Sequence, residues 1–108
     1  MVKRHYQVIW DEEAKVSLRK VYTHIKKRES LDQAIKVRNA ILDMAKSLGF
    51  MPRKYARDPF MEGEQGDIRF KAIWSYKIVY EVTDKEVIIL DVFHTSRDPL
   101  NLKEIKRK

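Results

Sequence analysis

The spacing of apolar residues differs between the two halves of this chain, and that difference limits the elements that can form. From about residue 12 to residue 48, apolar side chains recur every three or four positions, which is the period of an amphipathic helix. Beyond residue 68 they alternate with polar side chains in three consecutive runs, which is the period of a β-strand. A helical first half followed by a β-rich second half indicates an α+β domain.

Two helices, preceded by one short strand, are predicted in the first half. Residues 5–10 alternate in the manner of a strand, and the acidic residues that follow suit the first turn of a helix over residues 12–28. Ser30 followed by Gln33 has the form of a capping box, so a second helix begins there. Gly49 is placed to end that helix as its C′ residue. The linker is so short that the two helices form a helical hairpin.

The second half is predicted to contain a loop and three strands. Proline and glycine interrupt every periodic pattern over residues 50–67, which indicates a loop. Strands are expected over residues 69–75, 76–82 and 87–94, joined by tight turns. The expected fold is α+β: an N-terminal strand and a helical hairpin packed on one face of a small, mainly antiparallel four-stranded sheet. The 108 residues suffice for one core, so residues 1–108 are expected to be a single domain with a basic tail from about residue 97.

Strand alternation assigns one face of the sheet to the core and the other to solvent. The core face is predicted to hold Phe70, Ala72, Trp74, Ile78, Tyr80, Ile88, Leu90 and Val92. The opposite face is then expected to expose Arg69, Lys71, Lys77, Glu81 and Asp91. Such a face is either a solvated surface with internal ion pairs or a cluster of cations that binds phosphate groups.

Charge and composition narrow the classes of function. Lysine and arginine number 23 against 16 acidic residues, a formal net charge of +7, which suggests an anionic partner such as nucleic acid or an acidic protein segment. Alternatively, the excess lysine only keeps the domain soluble. No cysteine is present and the three histidines lack the spacing of metal ligands, so neither a metal site nor a cofactor is expected. Without a signal peptide or an apolar run that could span a membrane, the expected location is the cytoplasm.

One histidine and several basic residues are the candidate functional residues. Lys71, Lys77 and Arg97 are candidates for holding a phosphate and stabilising charge that develops on it. His94, at the end of the last strand, is either a general base or a structural residue that hydrogen-bonds the backbone. The candidates for binding nucleic acid or a target are Arg53, Lys54, Arg57, Arg69 and Arg97. Most aromatic residues fall on the predicted core face, which favours packing over base stacking.

The order of the elements and three short segments carry a family resemblance. Residues 8–14, Val-Ile-Trp-Asp-Glu-Glu-Ala, fit a strand-to-helix junction, and residues 76–81, Tyr-Lys-Ile-Val-Tyr-Glu, form the central strand. Residues 93–99, Phe-His-Thr-Ser-Arg-Asp-Pro, are similar to a His-x-x-Arg-Asp ending. In this order, and over about residues 5–99, the chain resembles the RelE/ParE superfamily of bacterial toxins.

The resemblance implies the toxin of a type II toxin–antitoxin system, of the kind associated with plasmid stabilisation and growth inhibition. It implies an acidic antitoxin protein as partner, which suits the positive charge. ParE-like members inhibit DNA gyrase, whereas RelE-like members are metal-independent mRNA endoribonucleases, either ribosome-dependent or free. A third alternative is an inactive RNA-binding or interaction domain on the same fold.

Two departures from the RelE-like pattern favour the ParE-like branch. In the RelE-like comparison, Lys77 takes the place of a strand arginine, Arg97 matches the arginine after the last strand, and Lys71 loosely matches a basic group on the preceding strand. These residues would be catalytic together with His94 as acid or base. However, lysine at residue 77 loses the bidentate contact of an arginine, and no tyrosine follows Arg97. Gyrase is therefore the favoured target, with the ribosome and its mRNA as the alternative.

Overall fold

The computed structural model describes residues 5–59 and 66–97, without the side chain of Arg97. The elements are β1 (Gln7–Trp10), α1 (Glu12–Arg28), α2 (Leu31–Ser47), β2 (Asp67–Ile73), β3 (Tyr76–Val82) and β4 (Glu86–His94). Short 3-10 turns occupy Pro52–Lys54 and Thr95–Arg97. The predicted basic tail, beyond its first residue, lies outside the described residues. Among those residues, no helix reaches the length and hydropathy that a bilayer crossing requires.

The four strands form one sheet in the order β1-β4-β3-β2. The first and last strands, β1 and β4, are parallel, and the other two pairs are antiparallel. A connection between parallel strands needs a long crossover, which the two helices and the later hairpins provide here. The predicted α+β fold, with an N-terminal strand, a helical hairpin and a mainly antiparallel four-stranded sheet, is confirmed.

Side-chain caps set the N-terminal ends of both helices where the sequence predicts them. The Asp11 carboxylate accepts a hydrogen bond from the N–H of Glu13 at 3.3 Å, and α1 begins at Glu12, directly after Asp11. The Ser30 hydroxyl accepts from the N–H of Gln33 at 3.0 Å and caps α2. Each cap satisfies one of the N–H groups that a helix leaves without an internal partner.

Gly49 follows α2 as predicted, but the structure requires glycine there for a different reason. A Cβ atom at this position would lie 2.7 Å from the carbonyl oxygen of Tyr6. The chain passes this close because the N–H of Tyr6 donates to the carbonyl of Gly49 at 2.8 Å. The glycine therefore lets the chain before β1 approach the end of α2, rather than supplying a left-handed conformation.

The hydrophobic core lies between the two helices and one face of the sheet. Three of the eight predicted sheet residues, Ile78, Tyr80 and Val92, are buried in it. The remaining fully buried core residues are Ala14, Ile25, Ala34, Val37, Ile41, Ala45, Leu48, Val82, Val87 and Ile89. The predicted placement of the other five residues in the core is therefore wrong, and two local features of the sheet account for the error.

The first feature is the turn between β2 and β3. Trp74 and Ser75 form the turn itself, so Ile73 pairs with Tyr76 and Lys71 pairs with Ile78. Residues directly opposite one another share a face, so the odd-numbered residues of β2 lie on the helix side. Consequently the predicted core residues Phe70, Ala72 and Trp74 are not in the core.

The second feature is a β-bulge in β4. Tyr80 pairs with Ile89 but its neighbour Val79 pairs with Asp91, which leaves Leu90 as the extra residue. One extra residue reverses the alternation of the strand. Before the bulge, the residues of β4 that lie in the core are therefore Val87 and Ile89. The predicted placement of Ile88 and Leu90 in the core is wrong.

Candidate functional site

The charged residues predicted to share one sheet face lie on two faces. Arg69 pairs with Tyr80 and Lys71 pairs with Ile78, so both basic side chains lie on the helix side of the edge strand β2. Lys77 pairs with Ala72 and lies on the far side, the side away from the helices. The expectation of a single exposed face holding Arg69, Lys71, Lys77, Glu81 and Asp91 is therefore wrong. Lys71 and Lys77 cannot act together on one phosphate from opposite sides of the sheet.

Lys77 is buried on the far side of the sheet in an ion pair. Its Nζ lies 3.4 Å from Oδ2 of Asp58, and the two side chains are only 5% and 4% exposed. The Lys77 ammonium also lies 4.5 Å from the ring centroid of Phe70 and 6.0 Å from that of Phe93. Charges at this depth are stable only when they are paired, so the contact with Asp58 gives Lys77 a structural role.

Asp58 reaches Lys77 because the predicted loop is hydrogen-bonded to the edge of the sheet. The N–H of Asp58 donates to the carbonyl of Ile68 at 2.9 Å, and the N–H of Phe70 donates to the carbonyl of Ala56 at 3.1 Å. These bonds cover the outer edge of β2, which would otherwise present unpaired backbone groups. The segment is irregular, as predicted, but it is joined to the sheet.

The same loop and β2 assemble a group of cations, the basic patch, formed by Arg53, Lys54, Arg57, Arg69 and Lys71. Three of its guanidinium groups surround one carboxylate. The Nε atoms of Arg53 and Arg69 each lie 2.9 Å from an oxygen of Asp67, and Nε of Arg57 lies 4.0 Å away. The structure thus brings together four of the five residues predicted to bind nucleic acid or a target.

Arg69 is the most rigidly held member of the basic patch. Its Nη1 donates to the carbonyl oxygens of Arg53 at 3.1 Å and Tyr55 at 2.6 Å. Its Nε is close to Oδ1 of Asp67, but the angle does not form a hydrogen bond, so the contact is an ion pair. Arg69 therefore fastens the loop to β2 and orients the carboxylate between the guanidinium groups.

Three other members of the basic patch, Arg53, Lys54 and Lys71, contact aromatic side chains. Arg53 donates through Nη1 to the hydroxyl of Tyr6 at 2.8 Å. Desolvation works against its charge, but the hydrogen bonds to Tyr6 and Asp67 raise the pKa of Arg53. The Nζ atoms of Lys54 and Lys71 lie 5.2 and 4.7 Å from the ring centroid of Tyr55. The outcome is three guanidinium groups around the Asp67 carboxylate and two ammonium groups over the Tyr55 ring.

His94 makes local contacts at the end of β4. Its Nδ1 accepts a hydrogen bond from the N–H of Ser96 at 3.0 Å, and its ring meets that of Tyr76 edge-on with centroids 5.3 Å apart. Because Nδ1 is the acceptor, the neutral ring carries its proton on Nε2 and offers a donor rather than a lone pair to the outside. This is the backbone contact that the structural alternative for His94 predicts, and the catalytic alternative stays a prediction. Arg97 belongs to the turn that His94 caps, and its predicted role rests on the sequence alone.

A cleft of about 1,020 Å³ lies between α1 and the second half of β4. β1 pairs with β4 only as far as Ile89, so the following residues of β4 have no strand partner on that side among the described residues. The lining includes Lys20 and His24 from α1, as well as His94. At the same edge the Asp91 carboxylate accepts a hydrogen bond from the N–H of Val92 at 2.8 Å. Sequence reasoning missed the cleft because the point at which β1 stops pairing with β4 is a tertiary feature.

The sequence and the fold were also compared with known proteins. Residues 8–99 match the family described as the ParE toxin of the type II toxin–antitoxin system parDE. The chain belongs to this family. The resemblance to the RelE/ParE superfamily, and to its ParE-like branch in particular, is thereby confirmed, and the protein is a toxin of a type II toxin–antitoxin system.

Two solved structures share the fold of this ParE-family toxin. The chromosomal ParDE system of P. aeruginosa matches with a TM-score of 0.70 and 22% identity, covering 83% of this chain and 96% of that one. The RelBE2 toxin–antitoxin complex of Mycobacterium tuberculosis matches with a TM-score of 0.61 and 20% identity, covering 84% and 92%. No curated protein compared with the sequence matches it significantly. In the described part of the toxin, no group of three or more metal-ligating side chains comes together.

The ParE-family toxin also exposes a tryptophan that sequence reasoning placed in the core. Trp74 is 59% exposed and adopts a φ of 53°, in the left-handed region that bulky residues rarely occupy. The Nζ of Lys36 on α2 lies 5.9 Å from its ring centroid. The sequence analysis placed Trp74 inside a strand over residues 69–75, and the turn at Trp74 and Ser75 is evident only in the structure.

Proposed function

We propose that this ParE-family toxin arrests growth by inhibiting an essential target protein, with DNA gyrase as the favoured target, and not by cutting RNA. The observation that carries this proposal is the separation of the candidate nuclease residues. Lys77 is buried against Asp58, and Lys71 lies on the other side of the sheet. Metal-free phosphoryl transfer needs an acid, a base and a charge-stabilising group that converge on one phosphate.

The contacts of His94 also favour target inhibition. Its Nδ1 is engaged by the N–H of Ser96, so the imidazole caps a turn instead of pointing a lone pair at a substrate. The absence of a tyrosine after Arg97, noted above, removes a further group of the RelE-like set. An inhibitor of a protein target needs no such set, since it acts through surface complementarity.

We further propose that the toxin acts in the cytoplasm and is neutralised by an acidic antitoxin. The two solved relatives are toxin–antitoxin systems, one of the ParDE type and one of the RelBE type. The net charge of +7 supports an acidic partner, because opposite charge accelerates association and suppresses wrong partners.

The test is to induce the toxin in bacteria without its antitoxin and to follow two readouts. New RNA 5′ ends are mapped minutes after induction, and purified toxin is added to gyrase with relaxed plasmid DNA. Inhibition of supercoiling or trapping of cleaved DNA, without new RNA ends, supports the proposal. Codon-phased cuts in translated messages that disappear in Arg97→Ala would instead establish the ribonuclease alternative. Folded toxin that neither slows growth nor affects gyrase would indicate the inactive domain.

A further inference from the structure

We propose that the basic patch binds the sugar–phosphate backbone of a nucleic acid directly. The patch lies along the loop before β2 and the outer edge of β2 itself, and none of its members lines the cleft beside β4. Its members are Arg53, Lys54, Arg57, Arg69 and Lys71. The proposal concerns the toxin alone and does not depend on which protein the toxin inhibits.

The basic patch holds an excess of positive charge in a fixed place. Arg57 and Arg69 are partners across a backbone bridge, so the fold itself forces two guanidinium groups together. Like charges opposite one another destabilise a sheet unless an anion lies between them. In residues 5–59 and 66–97, the carboxylate paired with the patch is that of Asp67, and it balances one of the five positive charges. A bound phosphate would add further negative charge.

Hydrogen-bond donors of the basic patch remain accessible to a ligand. The side chains of Arg53 and Arg57 are 46% and 54% exposed. Nε of Arg57 lies 4.0 Å from Asp67, beyond hydrogen-bond distance, so its guanidinium is held near the carboxylate without a hydrogen bond to it. A guanidinium fork matches two phosphate oxygens at once, and a neighbouring lysine adds a point charge.

The side chains of the basic patch are ordered before any ligand binds. Tyr6 holds Arg53, and the backbone carbonyls of Arg53 and Tyr55 hold Arg69. Lys54 and Lys71 both lie against the Tyr55 ring. Side chains that are already ordered lose less conformational entropy on binding, which favours affinity.

The chemistry of the patch favours nucleic acid over an acidic protein segment. Stable protein interfaces have an apolar centre surrounded by polar residues. Of the exposed large apolar side chains of the described residues, Val16, Leu31, Leu42 and Trp74 lie on other segments, and Met51 lies two residues before Arg53. A surface made mainly of cations is typical of contacts to a phosphate backbone.

The experiment measures binding of purified toxin to a fluorescein-labelled 20-base-pair DNA duplex, and to one of its single strands, over a series of salt concentrations. The test variant is Lys54→Gln with Arg57→Gln, and the control is Lys26→Gln with Lys27→Gln on α1. Both variants remove two exposed lysine or arginine charges, so the net charge falls equally. Thermal unfolding checks that each is folded.

We expect the test variant to bind the duplex on the order of tenfold more weakly at 0.1 M salt, with the slope of log affinity against log salt reduced by about 1.8. The control variant should keep the wild-type slope. Comparison of the two probes shows whether duplex or single strand is preferred. If the test variant fails to fold, Lys54→Gln alone is compared with Lys26→Gln, with half the change in slope.

Three results would overturn the proposal. Equal losses in the two variants would mean that only overall charge attracts DNA. Absence of salt-dependent binding by the wild-type toxin would remove the site altogether. Tighter binding of a 20-residue polyglutamate peptide than of either nucleic acid, weakened by the same test variant, would assign the patch to an acidic protein. Because neither gyrase nor antitoxin is present in the assay, each of these results leaves the proposed target to be judged separately.

Discussion

Lys77 on the central strand β3 and Asp58 in the preceding loop form an ion pair with 3.4 Å between Nζ and Oδ2, buried on the sheet face away from the helices. The pair joins two segments separated by the whole of β2. The loop that it fastens also carries Arg53, Lys54 and Arg57 of the basic patch. A contact on one side of the sheet therefore holds in place the surface proposed to bind nucleic acid on the other.

The first prediction concerns the free energy of unfolding contributed by this pair. Lys77→Met leaves the Asp58 carboxylate buried without the lysine charge, and we expect the free energy of unfolding to fall by about 3–5 kcal/mol. Asp58→Asn should have a comparable effect, whereas the double variant should lose less than the sum of the two. Urea denaturation measures all three, with Lys85→Met at an exposed position as control. Additive losses would show that the two charges do not stabilise one another.

The second prediction concerns alkaline stability. Tyr80 is fully buried and donates its hydroxyl to the carbonyl of Pro52 at 2.7 Å. Burial raises the pKa of Tyr80 above the ordinary value of 10.0, and this outweighs the opposing effect of Arg69. Above pH 10 the unfolded chain therefore loses a proton that the folded protein keeps. The free energy of unfolding contributed by Tyr80 is complete below pH 10 and falls as pH rises, by up to about 1.4 kcal/mol per unit.

Tyr80→Phe tests this dependence, because phenylalanine cannot ionise. Its stability at pH 7 should be lower through loss of the hydrogen bond to Pro52, but its decline above pH 10 should be shallower than that of the wild type. Urea denaturation at several values between pH 8 and 11 measures both. Tyr76, whose pKa is raised by burial and by the Glu29 carboxylate, is present in both proteins and does not affect the comparison. Parallel declines would refute the assignment to Tyr80.

The third prediction separates a structural from a catalytic His94. An asparagine at this position can accept a hydrogen bond from the N–H two residues later, as the imidazole does from Ser96. We expect His94→Asn to arrest growth as strongly as the wild type when induced. His94→Ala removes the acceptor and should lower thermal stability only modestly. Loss of growth arrest in both variants, with normal folding, would support a catalytic histidine.

The fourth prediction concerns the left-handed conformation of Trp74. Deleting a buried aromatic side chain costs about 3–5 kcal/mol, but Trp74 is 59% exposed and its φ of 53° suits asparagine better than tryptophan. We expect Trp74→Asn to change the free energy of unfolding by less than about 1 kcal/mol. Urea denaturation provides the measurement. A loss above 3 kcal/mol would mean that the ring contributes to the fold despite its exposure.

Several features follow from local sequence and were predicted correctly. The helix beginnings depend on Asp11 and Ser30, whose side chains reach backbone groups only two or three residues away. The turn between β3 and β4 is likewise local, since Thr83 and Glu86 hydrogen-bond each other through backbone and side chain. The family resemblance also came from local segments whose order along the chain could be seen directly.

Which residues come together in the candidate site depends on contacts between distant parts of the chain, and no local sequence pattern predicts those contacts. The position of the turn at Trp74 decided that Arg69 and Lys71 lie on the helix side. The bulge at Leu90 reversed the second half of β4 relative to the first. Shifting an alternation by one residue moves every side chain of a strand to the other face of the sheet. The predicted register was wrong by one residue, and it therefore placed Lys71 and Lys77 on the same face.

The sequence by itself determined the elements, their order and the positive charge, because periodicity, caps and charge are properties of neighbouring residues. Only the tertiary structure decided which cations act together. It buried Lys77 against Asp58 and gathered three arginines around Asp67, because strand register and the docking of the loop depend on residues far apart in the chain. A buried lysine and an exposed lysine give the same alternation pattern in a strand sequence. Lys77 can be buried because the Asp58 carboxylate beside it is buried as well.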